Sequence, residues 1–121
     1  MTEIPNSKQY DLEERTYQFA KKVTLFCKKL PRTISNIEYV KQVIRASASV
    51  GANYIEANEA FSKKDFRMKI KICRKESKES AYWLRLIIET NDKKFEIEGV
   101  GLRNEVIELK KIFSRILESS K

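Results

Sequence analysis

An all-α, antiparallel up-down-up-down four-helix bundle is predicted by three features of this 121-residue chain. Apolar residues recur at three- and four-residue spacing in four separate segments, the period of a helix with one buried face. Capping residues stand just ahead of these segments. Helix breakers are scarce: the chain has three glycines and two prolines, with both prolines among the first 31 residues. The one brief alternation, Lys69 to Cys73, sits inside a longer helical period and does not compete as a strand.

Residues 1–10 read as a flexible arm, and 11–121 as a single bundle domain. Asp11 with Glu14 forms a capping-box-like pair for the first helix, whose face is Leu12, Thr16, Phe19, Val23, Phe26 and Leu30. Pro31 ends it. Ser35 with Glu38 marks the second helix, about 25 residues long. Its face is Ile37, Val40, Ile44, Ser47, Gly51, Tyr54, Asn58 and Phe61, widened by Val43, Val50 and Ala57. Ser62 with Asp65 marks the third, with Phe66, Ile70, Cys73, Ser77, Ala81, Leu84 and Ile88 facing inward. Asn91 to Lys94 is a turn. Phe95 to Gly101, with two glycines bracketing Val100, is the weakest helical region. Leu102, Val106, Leu109, Phe113 and Ile116 then define the fourth helix.

A glycine inside a helix costs roughly 1 kcal/mol relative to alanine, so Gly51 needs an offsetting contact. Small residues lie near the middle of helices 2 and 3, at similar distances from the turn that joins them. Ser47 and Gly51 on one, facing Ser77 and Ala81 on the other, predict an unusually close pairing of these two helices.

Charged residues make up 35% of the chain and its mean hydropathy is −0.53. No apolar run approaches the ~20 residues of a membrane span, and the first ten residues lack an apolar signal core. The expected location is the cytoplasm, and no membrane partner is expected. Cys27 and Cys73 fall on apolar helix faces and read as reduced core thiols.

The net charge is +8, and it is clustered. From Ser62 to Arg85 there are nine basic residues against three acids. Lys64, Arg67, Lys71, Arg74, Lys78 and Arg85 fall on one narrow face of helix 3. Like charges at this spacing repel, so the stripe costs helix stability. Two readings stand side by side: a surface that tracks the phosphates of RNA or DNA, or a solvated face with no nucleic-acid role. Met68, Ile72, Trp83 and Leu86 form a second apolar line, read as lying away from the basic stripe. It predicts a homo-oligomer interface, and the alternative function is accordingly a protein-interaction scaffold.

Signatures of catalysis are missing from the sequence. There is no histidine, no Gly-rich phosphate loop and no Cys-x-x-Cys, so no enzyme activity, metal, cofactor or small-molecule substrate is expected. The pairs Glu56/Glu59 and Glu76/Glu79 read as solvated helix glutamates. Asn53 and Glu56 border the core face. Glu56 is placed to pair with Arg45, Lys63 or a helix 3 base, and Asn53 to hydrogen-bond across to helix 3.

Three stretches carry a family resemblance: Arg45-Ala46-Ser47-Ala48-Ser49-Val50-Gly51-Ala52-Asn53-Tyr54-Ile55-Glu56-Ala57, Ser62-Lys63-Lys64-Asp65-Phe66 and Glu79-Ser80-Ala81-Tyr82-Trp83-Leu84. Together they resemble the 23S ribosomal RNA intervening-sequence proteins, small bacterial four-helix bundles. The resemblance spans about Leu12 to Leu117 and is weakest over Phe95 to Gly101. It implies no enzymatic activity and supplies no catalytic residues. The family is similar to the accessory protein of diversity-generating retroelements, a ring-shaped pentamer with a basic, nucleic-acid-binding surface. The resemblance thus implies a pentamer and nucleic-acid binding as expectations.

Overall fold

The computed structural model describes the backbone from residue 3 and the side chains from residue 12, through to residue 121. Four long helices follow one another: α1 (Glu3–Lys28), α2 (Ile34–Asn58), α3 (Lys63–Thr90) and α4 (Glu96–Ser119). A short 3-10 turn, Lys93–Phe95, joins the last two. No strand occurs among the described residues. Short connections reverse the chain at each step, so sequential helices pack side by side. α3 packs extensively on both α2 and α4, whereas α1 rests mainly on α2 and only thinly on α4. The backbone is helical from Glu3, so Asp11 lies within α1 and does not begin it, and the segment expected as a flexible arm is helix from residue 3 on; residues 1–2 lie outside the described residues.

The helix ends follow from local chemistry. Leu30 and Lys29 close α1 with i→i−3 backbone bonds to Cys27 and Phe26, ahead of Pro31. α2 is capped by Thr33, not Ser35: Thr33 Oγ1 accepts from the Asn36 amide at 3.1 Å. The Asn36 side chain explains the shift. It turns back to the Pro31 carbonyl at 2.8 Å and trades reciprocal amide bonds of 2.8 and 2.9 Å with Asn91. This buried pair ties the start of α2 to the end of α3. Ser62 caps α3 as expected, accepting from the Asp65 amide at 3.0 Å. Asp92 holds the last turn by accepting from the Lys94 amide.

Every residue on the predicted face of α1 is buried, from Leu12 through Leu30. On α4, Leu102, Val106, Leu109 and Phe113 are buried, and Leu117 joins them beside a half-buried Ile116. The face of α3 is rotated slightly toward α2: Glu76, Ser80 and Ile87 are buried, while Phe66, Ala81 and Ile88 are only partly so. One predicted core residue is displaced altogether. α2 stops at Asn58, its last carbonyls closed by the Glu59 amide, and Phe61 in the following loop is fully exposed.

One of the four small residues, Gly51, has a different partner from the one predicted. Ser47 and Ser77 are buried, and the Cys73 thiol donates to the Val50 carbonyl at 3.4 Å, so α2 and α3 do lie close. Gly51, however, faces α1. A Cβ there would sit 3.0 Å from Thr16 Oγ1 and 3.3 Å from Thr16 Cβ. Thr16 is itself fully buried and returns its hydroxyl to the Leu12 and Glu13 carbonyls of its own helix. The region expected to be weakest is helical through both glycines. At Gly99 a Cβ would meet Ile88 Cγ1 at 2.7 Å and Phe26 Cζ at 3.3 Å, so this glycine lets α4 close onto α1 and α3.

Candidate nucleic-acid interface

Basic residues cover the outward side of α3 because its inward side is already occupied by Ile70, Cys73, Ser77 and Leu84. Nothing local favours a row of like charges; Lys63 and Lys64 even stand at the positive end of the helix dipole, against Asp65 alone. The six stripe residues do not behave alike. Arg67 is drawn to the end of α4, where it donates to the Leu117 carbonyl at 2.6 Å and Ser120 Oγ at 2.9 Å. Arg85 pairs with Glu89 one turn on, at 3.0 Å. Lys64, Lys71, Arg74 and Lys78 make no ion pair among the described residues, and all but the half-buried Arg74 are exposed.

The acids that might have neutralised this face are turned elsewhere. Glu56 pairs with Lys69 at 2.7 Å on the α2 side, and that hydrogen bond raises the pKa of the Lys69 ammonium. Arg45 reaches across from α2 to Glu79 at 3.1 Å and Glu76 at 3.5 Å. Glu76 is not the solvated glutamate expected: it is buried, and its Oε1 lacks a hydrogen-bond partner of good geometry. Its charge is held by Arg45 and by Lys75 at 3.8 Å. On the α1 side Arg15 grips Glu105 of α4 with two bonds of 2.7 and 2.9 Å, and Lys29 bonds Glu98. Asn53 bonds the Ser49 carbonyl of its own helix at 2.8 Å instead of crossing to α3.

The second apolar line is divided by the fold. Trp83 is half-buried, its ring 6.0 Å from that of Tyr39 on α2 and 5.1 Å from that of Tyr82. Ile72 and Leu86 are likewise half-covered. Met68 is exposed, and it is not remote from the basic stripe: with Lys63, Lys64, Arg67 and Lys71 it lines one shallow, open depression. One helical turn carries Met68 back beside Lys64 and Lys71, which a coarse division into faces overlooked.

Sequence reasoning also missed the Asn36–Asn91 pair and the exposure of Phe61. No local signal announces either; both depend on where α2 stops and how the chain turns.

Among the described residues no three His, Cys, Asp or Glu side chains gather as a metal site. No helix among the described residues is long and apolar enough to cross a membrane. What the fold presents is a helical bundle with one cationic face. The 23S rRNA-intervening sequence protein family matches over residues 8–115, and the chain belongs to that family. A solved structure from Bacteroides thetaiotaomicron, described as a protein of unknown function from the S23 ribosomal protein family, is similar at 30% identity and a TM-score of 0.77. The likeness covers 88% of this chain and 97% of that one. No curated protein matches.

Proposed function

We propose that this protein is a non-enzymatic, cytoplasmic nucleic-acid-binding bundle that engages phosphates through α3. The observation that carries the reading is the set of Lys64, Lys71, Arg74 and Lys78, aligned on one face and without acidic partners among the described residues. A cationic row that weakens its own helix is retained at a stability cost, and a polyanion would relieve that cost. Arg67 and Arg85 are engaged within the fold, so they border the contact more than they make it. The family's name, which ties it to an insertion in ribosomal RNA, makes RNA the first ligand to try.

Binding of this kind is electrostatic and weakly sequence-dependent. Four neutralised phosphates give a slope of log affinity against log salt of roughly −3 to −4. Fluorescence anisotropy with labelled RNA over a salt series measures it. Replacing Lys71 and Lys78 with Glu should abolish binding at moderate salt while leaving helicity intact. Salt-insensitive binding, or none at low salt, sinks the proposal.

Self-association belongs to the same reading, with exposed Met68 and the uncovered edges of Ile72, Trp83 and Leu86 as its surface. Light scattering on Met68→Ser tests it. A smaller assembly with unchanged helicity supports the interface, and an unchanged mass removes Met68 from it.

A further inference from the structure

The basic row is bracketed by two exposed aromatic rings. Phe61, in the loop just ahead of α3, is 102% exposed, as open as a side chain in an extended peptide. Tyr82 is 59% exposed and lies on α3 in line with Lys64, about five turns and ~27 Å further along the axis. Lys71 and Lys78 stand between Lys64 and Tyr82 along the axis, within about 40° of that line. A fully exposed phenylalanine contributes nothing to the core and is a liability for solubility. Tyr82 is held edge-to-face against Trp83, with interplanar angle 82°, which limits its rotation and leaves much of its surface open.

Rigid duplex and single strand make different demands on such a surface. A duplex offers phosphates but keeps its bases stacked inside, where surface rings cannot reach them. A single strand offers both phosphates and unstacked base faces, and proteins that hold it combine a cationic track with aromatic platforms. Resting on the nucleic-acid reading above, we infer that the α3 face selects single-stranded nucleic acid, with Lys71 and Lys78 on phosphates and Phe61 and Tyr82 stacking against bases near either end. Stacking uses the π-face that every base has, so the selection is for strandedness and not for sequence.

The experiment compares the full chain with labelled oligouridylate and oligothymidylate of about 12 nucleotides and a duplex of the same length. Unaltered protein should bind the single strands more tightly than the duplex. Phe61→Ala and Tyr82→Ala should each weaken single-strand binding about fivefold or more, leave duplex binding unchanged, and leave helicity unchanged. Tyr82→Phe, which keeps the ring, should restore affinity. Equal affinity for uridylate and thymidylate assigns the contact to phosphate and base faces common to RNA and DNA; preference for uridylate adds contacts to the 2′-hydroxyl. Duplex bound as tightly as single strand, or both alanine variants binding like the parent, overturns the inference. Loss of all binding only in Lys71→Glu/Lys78→Glu would then leave the phosphate reading standing. Absence of binding to every probe removes both.

Discussion

Substituting alanine for each glycine of the helices in turn tests whether close packing or backbone freedom explains them. All three have ordinary negative φ, so alanine is conformationally allowed at each. Helix propensity alone makes every such change stabilising by about 1 kcal/mol. At Gly101 nothing lies within 4 Å of a new Cβ, and the full gain should appear. At Gly99 the same methyl meets Ile88 Cγ1 at 2.7 Å. That carbon is near the root of the side chain and cannot swing clear without moving its terminal methyl, itself 3.3 Å away. Phe26, also 3.3 Å off, is fully buried and closes the other side. Overpacking of this kind costs about 1–3 kcal/mol, which cancels or exceeds the propensity gain. Gly99→Ala should therefore be about 1–3 kcal/mol less stable than Gly101→Ala. In a domain of this size each kcal/mol moves the melting temperature by about 3–6 °C. Urea unfolding followed by circular dichroism measures the difference. If Gly99→Ala proves as stabilising as Gly101→Ala, α4 does not approach α1 and α3 as described.

Other substitutions and conditions probe other parts of the fold. Asn91→Ala removes three hydrogen bonds, the reciprocal pair with Asn36 and the one to the Ile87 carbonyl, leaves the buried Asn36 amide only its bond to the Pro31 carbonyl, and should cost about 1–3 kcal/mol in a urea titration. Gly51→Ala meets Thr16 Oγ1 at 3.0 Å and should gain less than Gly101→Ala; pairing it with Thr16→Ala, which removes that hydroxyl and leaves only the Cβ at 3.3 Å, should recover part of the difference. Burial raises the thiols of Cys27 and Cys73 from an ordinary 9.0 to about 11 and about 12. The native state therefore keeps protons that the unfolded chain releases, so the thiols' contribution to stability is constant well below pH 9 and falls as pH rises through the interval up to those values. The slope approaches about 1.4 kcal/mol per pH unit for each thiol, and Cys73→Ala should flatten it. A thiol reagent at pH 8 should react with both only at the rate of opening of the bundle.

Periodicity made most of the architecture legible. The apolar positions of α1 and α4, the Ser62 cap and the length of α2 all follow from interactions within a turn or two of chain, where spacing and chemistry are written in the sequence itself. The errors share a different cause. Ser35 and Thr33 are both good caps, and the choice fell to Thr33 because Asn36 is pulled toward Asn91, far away in sequence. Asn53 had a neighbouring carbonyl within its own helix and did not need α3.

For the candidate interface the division is similar. The basic residues and their alignment on α3 were determined by the sequence alone, because helical geometry converts spacing directly into direction. Which of those cations remain without an acid was decided by tertiary structure. α4 ends where Arg67 can cap it, α2 presents Glu56 to Lys69, and Arg45 gathers Glu76 and Glu79 away from the stripe. Gly51 belongs to the same class: its need for a close neighbour was evident locally, but that the neighbour is Thr16 of α1 depends on how the helices are arranged. Local spacing sets what a residue can offer. Only packing, which brings distant segments to one place, settles what it meets.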